Sequence, residues 1–289
     1  MGSRLWALAF GLCMLGAGSW RPEARQAVTL ETVLDRLGAY LTDYADRLPS
    51  TIASEHYVQT ARNGSRNDQA ILDSDFGIVL LPGVKTWLGF RQVLKVNGKE
   101  IPHDSLESLF VQPGTDSTPA WAAARRVSEA SAKYNIGPIL RTVNNPALVL
   151  EILDARNRPG MRFSKDRETD VDGTNVWVIQ FAERQRPTIV RAAGNADAPS
   201  RGRAWVDPSN GTLLRAEVQL EGPLSNRSRF SGDLTVVFQR DAKLQFWVPA
   251  RLMEAYRYGS GRVAESGEAV YSDYRRFSVT TRIVPTPEP

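Results

Sequence analysis

The sequence predicts an α+β fold, in which one antiparallel sheet of about ten strands carries an N-terminal helix and a helical insert. Two observations favour this class. Segments rich in β-branched and aromatic residues recur from Ser54 to the C-terminal region, and glycine, proline, asparagine or aspartate separate them. Helical patterns do not alternate with these segments, as they would in a parallel α/β sheet. We expect residues 28–284 to form a single domain.

The composition of the chain indicates how large a core it can form and which classes of partner it suits. The chain has 289 residues, of which 42% are hydrophobic, so it can build a sizeable core. The formal net charge is +4, and basic and acidic residues are interspersed almost everywhere. A nucleic-acid-binding protein would cluster its cations on one stripe, so we expect no nucleic-acid partner. The arginine-rich composition favours a bacterial source.

The N-terminal residues 1–27 have the pattern of a signal peptide and the start of the mature chain. Arg4 precedes an apolar run over residues 5–18 that is too short to span a bilayer. Cleavage is expected either after Gly18 or near Ala27. Cys13, the only cysteine, lies within this run, so the mature chain has none. The sequence thus predicts an exported protein, periplasmic or extracellular, that does not span a membrane once the signal is removed.

Residues 29–48 are predicted to form the N-terminal helix. Leucine, valine and tyrosine recur there at steps of three and four residues, which gives one apolar stripe. Thr29 is a suitable N-cap, Glu31 favours the first turn, and Pro49 ends the helix. The stripe indicates a helix that packs on a sheet. A helix lying on a membrane surface is the alternative, but aspartates on the polar face disfavour it.

Three strands are predicted next, over residues 54–61, 69–81 and 87–96. Asn97-Gly98 then gives a strong signal for a short hairpin. A helical insert follows at 104–137, with a short helix beginning at Asp104 and a longer one beginning at Thr118 and Pro119.

From Pro146 the sequence returns to predicted strands. Their ranges are 148–153, 162–164, 175–183, 188–191, a hairpin over 201–222, then 232–240, 243–248, 251–258, 267–274 and 277–281. In the hairpin, Pro208 suits a β-turn, and Asn210 or Gly211 can adopt positive φ. Residues 285–289 are predicted to be a disordered tail.

Several central strands are apolar on both faces. In residues 175–182, Val176 and Val178 point one way, while Trp177, Ile179 and Phe181 point the other. Residues 204–206 and 246–248 are similar. In an antiparallel sheet with one solvent-exposed face, apolar and polar residues alternate along each strand. Because these strands lack that alternation, we expect both of their faces to be covered from solvent. Helices packed on the second face explain this, and so does a curved sheet with an apolar cavity for a ligand.

Motifs for catalysis or metal binding are missing. His56 and His103 are far apart and have no metal-ligand spacing. No nucleophile elbow and no glycine-rich phosphate loop occurs. Glu254, Glu265, Glu268 and Asp273 lie on late strands, and we expect them to be solvated surface charges. We therefore predict no catalytic residue, no metal site and no cofactor.

One stretch resembles a known superfamily. The segment GRAWVDPSNGTLLRAE over residues 202–217, followed by Trp247-Val248-Pro249 and Met253-Glu254, resembles the outer-membrane lipoprotein-sorting carriers of the LolA, LolB and RseB type. It is also similar to uncharacterised exported bacterial proteins. The resemblance covers residues 146–281. It implies a strongly curved half-barrel of antiparallel strands around helices, with the insert as a helical lid and a cavity for acyl chains or a lipoprotein.

The predicted function is therefore a non-enzymatic, exported protein that binds a hydrophobic ligand, a lipid or a lipoprotein acyl chain, in the bacterial envelope. The candidate lining residues are aromatic or branched and come from the two-faced strands: Trp177, Ile179, Phe181, Trp205, Phe246 and Trp247.

Two other functions stay open. One is an interaction or scaffold module of the envelope that has no small-molecule site. Its partner would be acidic and would contact an arginine-rich run formed by Arg184, Arg186, Arg191, Arg201 and Arg203. The other is a hydrolase, for which a polar cleft with clustered carboxylates would be the required observation.

Overall fold

A computed structural model describes residues 28–48, 51–81, 85–103, 118–137, 144–225, 228–258 and 263–276. The predicted signal segment, the short helix at 104–110, the strand at 277–281 and the tail at 285–289 lie outside these residues.

The predicted N-terminal helix is confirmed. Helix α1 spans Leu30–Arg47, and the hydroxyl of Thr29 accepts a hydrogen bond of 3.2 Å from the backbone N–H of Thr32. The apolar stripe is buried, with Val33 fully inaccessible and Leu41 2% exposed. Packing against the sheet, more than intrinsic propensity, therefore holds this helix.

Two further α-helices are described, and short 3-10 segments occupy Ala155–Gly160 and Ala193–Asn195. Helix α2 spans Thr118–Ser131 and continues into a 3-10 turn at Ala132–Tyr134, and helix α3 spans Ala147–Leu153. The longer helix of the predicted insert is thus confirmed. Its final turn tightens to 3-10 geometry, as is common at helix ends.

The strands follow one another with little interruption. They are β1 (Thr51–Asn63), β2 (Arg66–Leu81), β3 (Thr86–Val96), β4 (Lys99–Glu100), β5 (Met161–Val171), β6 (Thr174–Glu183), β7 (Arg191–Ala192), β8 (Ala196–Asp197), β9 (Ser200–Val206), β10 (Leu213–Ser225), β11 (Ser228–Arg240), β12 (Trp247–Tyr258) and β13 (Val263–Arg276).

Eleven of these strands form one antiparallel sheet in the order β4-β3-β2-β1-β13-β12-β11-β10-β9-β6-β5. The predicted antiparallel sheet is confirmed, with one strand more than expected. Among the described strands the sheet does not close, and β4 and β5 lie at its two ends. The short strands β7 and β8 form a separate two-stranded sheet.

The sheet is strongly curved. Eight strand spacings separate β3 from β6, which would place them about 38 Å apart in a flat sheet. Yet Trp87 on β3 and Trp177 on β6 belong to the same core cluster as the apolar stripe of α1. The sheet therefore wraps around α1. Register shifts in several strand pairs, such as that between Ile52 and Ser54, are bulges that help a sheet to bend.

Two predicted turns have the expected chemistry. Asn97 and Gly98 both have positive φ, as the short hairpin between β3 and β4 requires. In the turn between β9 and β10, Gly211 has a φ of 80°. A Cβ atom at that position would lie 2.2 Å from the backbone carbonyl carbon of Arg36, so this turn is also a docking point for α1.

Three predicted strands are wrong. Residues 243–248 were expected to form a strand of their own, but 242–244 form a turn after β11, and residues 247 and 248 begin the continuous strand β12. Residues 148–153 were predicted to form a strand, but they belong to helix α3, in which every residue except Glu151 is buried. A short run that is apolar throughout suits a fully buried helix as well as a buried strand, and periodicity does not separate the two. Residues 188–190 are also irregular, and only Arg191 belongs to a strand.

Candidate functional site

The concave face of the sheet has two chemically different halves. The apolar half lies under α1, where valine, leucine and aromatic side chains of β6 and β9 to β12 meet the helix. The polar half lies under α2 and the segment 132–137. Its inward side chains are large and polar or aromatic: Glu55, Tyr57, Gln59, Arg91, Glu254, Tyr256, Glu265 and Tyr271.

An ion pair lies at the centre of the polar half. The guanidinium of Arg91 donates through Nε and Nη2 to the two carboxylate oxygens of Glu55, and the Nη2–Oε1 distance is 2.8 Å. The two side chains are only 5% and 0% exposed. Nη2 of Arg91 also donates to the backbone carbonyl of Asn144 at 3.2 Å. The carbon Cζ of Arg91 lies 4.6 Å from the ring centre of Tyr57, which adds a cation–π contact.

The ion pair keeps Arg91 charged. Burial lowers the pKa of its guanidinium, but the carboxylate of Glu55 offsets this and leaves the pKa above its usual value. Burial also raises the pKa of Tyr271 well above that of a free phenol, and the charge of Glu55 adds to the effect. The phenol of Tyr271 therefore stays neutral at physiological pH, while Arg91 carries the local positive charge.

A second buried carboxylate belongs to Glu254. The hydroxyl of Tyr57 donates to its Oε1, and the hydroxyl of Tyr256 donates to its Oε2 at 3.0 Å. Gly267 leaves the space for this arrangement, because a Cβ atom there would lie 2.7 Å from Oε1 of Glu254. The carboxylate of Glu254 thus has a tyrosine donor on each oxygen, as a buried carboxylate requires.

The polar half also holds the end of the helical insert. The amide of Gln59 donates to the carbonyl of Tyr134 at 3.2 Å and accepts from the N–H of Ile136 at 3.3 Å. Gly137 has a φ of 94°, and a Cβ atom there would lie 2.3 Å from Oε1 of Glu265. The segment 132–137 is therefore held against the sheet by polar contacts and by a close glycine approach.

The predicted position on the solvated surface is wrong for two of the four carboxylates. Glu254 and Glu265 were expected on the solvated surface, but they are 4% and 1% exposed. Glu268 and Asp273 are solvent-accessible, as expected. The sequence shows which residues alternate along a strand, but it does not show that this face of β12 and β13 is covered by a polar layer.

A groove opens beside the polar half, between α2 and β3, with a volume of about 280 Å³. Its apolar lining includes Val93, Ile101, Val127 and Tyr134. The remaining lining side chains are mostly cationic or polar: Arg91, Gln92, His103, Arg126, Ser131 and Lys133. The volume lies just below the usual range for small-molecule pockets, about 300–1,000 Å³. The groove combines apolar walls with positive charge.

The six candidate lining residues do not share one surface. Trp177, Ile179, Phe181 and Phe246 belong to the main core under α1. Trp205 belongs to a small cluster on the convex face with Val176, Val178 and Leu214. Trp247 is partly buried and packs against both clusters. The two-faced pattern of the strands is thus explained by two apolar layers, and the ligand-lining role of these six residues stays a prediction.

The predicted arginine-rich run is largely paired within the chain. Arg186 and Arg191 contact Asp197, and their shared carboxylate has a lowered pKa because the backbone N–H of Thr188 donates to it and both arginines lie near. Arg201 pairs with Glu221 at 2.6 Å, and Arg203 pairs with Asp166 at 3.6 Å. These pairs offset most of the positive charge that an acidic partner would recognise; Arg184 is exposed.

Metal binding finds no support in the described ranges, which contain no group of three histidine, cysteine or acidic side chains able to hold an ion. Nδ1 of His56 lies 2.7 Å from Oδ1 of Asp73, and both side chains are exposed. His103 lines the groove, far from His56 in sequence. Among the helices that are described, none is long and apolar enough to cross a membrane.

Comparison with known proteins gives similarity in structure only. No protein-family model and no curated protein matches the sequence. A LolA superfamily protein from Nitrosomonas europaea is similar at 14% identity over 88% of this chain and 96% of its own, with a TM-score of 0.35.

Two further structures are similar at 11% identity. One is a DUF1329 family protein from Desulfovibrio piger, which aligns over 86% of this chain and 94% of its own with a TM-score of 0.40. The other is the lipoprotein LppX of Mycobacterium tuberculosis, at 87% and 100% coverage with a TM-score of 0.30. The Nitrosomonas protein bears the name of the superfamily that the sequence resembles. At these identities and scores, the likeness says nothing about a ligand.

Proposed function

We propose that this chain is an exported, non-enzymatic protein that binds a hydrophobic ligand, a lipid or an acyl chain, in the bacterial envelope. The observation that carries the proposal is the groove between α2 and β3. It is open to solvent on one side, and Val93, Ile101, Val127 and Tyr134 supply apolar walls. Such a concave apolar surface is the usual form of a small-molecule site.

The groove is a better ligand site than the core under α1. Ile179 and Phe181 are 1% and 3% exposed, and α1 covers them. A ligand would reach them only after α1 had moved away, which would expose the apolar stripe of α1 and the side chains packed against it. The groove needs no such movement.

Two of the buried carboxylates, Glu55 and Glu254, favour binding over hydrolysis. A glycosidase needs one carboxylate free to take up or deliver a proton in a cleft. Both oxygens of Glu55 are bound by Arg91, and both oxygens of Glu254 accept from tyrosines. These groups are committed to holding the fold together. Paired arginines likewise give the alternative of a scaffold for an acidic partner less support.

The test is binding of a neutral apolar probe to the purified protein. N-phenylnaphthylamine should fluoresce on binding, and Ala130→Trp should abolish the signal because Ala130 lines the groove on α2. Ala122→Trp is the matched control, since Ala122 is exposed on the same helix and does not line the groove. Mass spectrometry of an organic extract should also find a co-purifying lipid. An absence of both signals, or equal loss in both variants, would refute the proposal.

A further inference from the structure

Two neighbouring stripes of side chains on α2 and the 3-10 turn that follows it line the groove, and they differ in exposure and charge. Arg126, Ala130 and Lys133 follow one another at steps of four and three residues, and all three are exposed. Val127, Ser131 and Tyr134 form the neighbouring stripe, and they are half-buried or buried. Residues at such steps lie on one side of a helix. The groove therefore has an inner stripe with the apolar side chains of Val127 and Tyr134 and an exposed outer stripe with the cations Arg126 and Lys133, along α2 and the 3-10 turn that follows it.

The cations of the outer stripe are not neutralised by carboxylates of the described residues. No acidic side chain in the described ranges pairs with Arg126 or Lys133, whereas the adjacent Arg125 lies 3.8 Å from Glu129. Nζ of Lys133 lies 4.9 Å from the ring centre of Tyr134, which positions the ammonium beside the apolar lining. Arg91 also lines the groove, but its guanidinium is already bound by Glu55.

We propose that the groove binds a single-chain amphiphile with an anionic head, whose chain lies against Val93, Ile101 and Val127 and whose head lies at Arg126 and Lys133. The inference rests on the proposed function and specifies its ligand. A carboxylate or a phosphate would meet two cations at the mouth of the groove. A neutral head group would leave these two cations without a partner, and a cationic head group would be repelled by them.

Competition against N-phenylnaphthylamine separates the contribution of the alkyl chain to binding from that of the head group. Four amphiphiles with chains of twelve carbons are needed: dodecanoate, dodecyl phosphate, dodecanol and dodecyltrimethylammonium, each below its micelle concentration or, for dodecanol, below its solubility limit. Both anions should displace the probe at concentrations about fivefold lower than dodecanol, since exposed ion pairs are individually weak. The advantage should shrink as salt is added. A preference between the two anions then distinguishes a fatty acid from a phosphate-bearing lipid.

Variants on α2 test the assignment of the cations. Arg126→Gln combined with Lys133→Gln should remove the advantage of the anions and leave dodecanol unchanged. Arg125→Gln is the matched control and should keep the advantage, because Arg125 does not line the groove. If dodecanol or the cationic amphiphile competes as well as the anions, this inference fails and the proposed function stands. If the probe itself does not depend on Ala130, both fail.

Discussion

The two halves of the concave face are closed in different ways. Under α1, the apolar half is closed by burial of leucine, valine and aromatic side chains, among them Leu37 and Leu41 at 2% exposure. Under α2 and the segment 132–137, the polar half is closed by the Glu55–Arg91 pair and by hydrogen bonds of Gln59. Apolar burial is non-directional and tolerates small shifts, whereas hydrogen bonds require defined partners. The polar half thus depends on defined partners, and the apolar half depends on burial.

Loss of one member of the buried ion pair should have the largest effect. Arg91→Met leaves the carboxylate of Glu55 buried and without its partner, which is expected to reduce the free energy of unfolding by about 3–5 kcal/mol. The measurement is urea denaturation followed by tryptophan fluorescence. The double variant Glu55→Leu with Arg91→Met removes both charges and should recover most of the loss. A double variant no more stable than the single one would show that the pair does more than neutralise charge.

A cavity in the apolar half should cost nearly as much. Leu41→Ala removes a leucine that is 2% exposed on α1, and such changes typically cost about 2–5 kcal/mol. Thr42→Ala, one residue further on the exposed side of the same helix, is the control and should change stability little. A loss below about 1 kcal/mol for Leu41→Ala would contradict a filled interface under α1.

Loosening the polar half should produce a local effect. Gln59→Leu removes the side-chain contacts to Tyr134 and Ile136, so amide hydrogen exchange at 132–137 should accelerate about tenfold with a smaller change in global stability. Thr60→Val changes the neighbouring outward residue and should leave exchange in this segment unaffected. Acceleration spread equally over α1 would argue against two separately closed halves.

The smallest expected effect is a change in the pH dependence of stability, which involves the buried carboxylate of Asp154. Asp154 accepts a hydrogen bond of 2.9 Å from Nε1 of Trp87, which packs on Tyr44. Burial alone would raise the pKa of Asp154, but hydrogen bonds from Arg156 and Trp87 lower it below the usual value. A carboxyl with a depressed folded-state pKa contributes stability above its unfolded pKa, and this contribution is lost as the pH falls through the folded value.

Asp154→Asn should therefore be less stable than the parent at neutral pH, and the difference should narrow below about pH 4. Urea denaturation of both proteins across this range is the measurement. A difference that is independent of pH would assign the effect to packing instead of charge.

The contrast between the halves also explains what the sequence could predict. The stripe of α1, its cap at Thr29 and the Asn97-Gly98 hairpin were all predicted correctly, because local spacing and turn chemistry determine them. Alternation on β1 even places Glu55, Tyr57 and Gln59 on one face with the apolar Ala53. That alternation is the one signal from which the polar half could have been found.

The polar half itself could not be predicted, because its partners come from distant strands. Arg91 lies on β3 and reaches Glu55 on β1 across the intervening strand β2, where the small Ser74 faces Glu55. The register that brings these residues together is a property of the folded sheet. The same limit applies to α3, whose apolar sequence suits either of two elements until its surroundings are known.

In the described part of the chain, β5 is the last strand of the sheet, and this position affects how the protein behaves at high concentration. A free edge strand exposes unpaired backbone groups that could recruit a strand from another copy. In β5, a run of four charged residues at 165–168 occupies the middle of the strand, and much of it is exposed. Such charges oppose edge-to-edge association. Replacing them with threonine or valine would turn this boundary of the sheet into a site where aggregates begin.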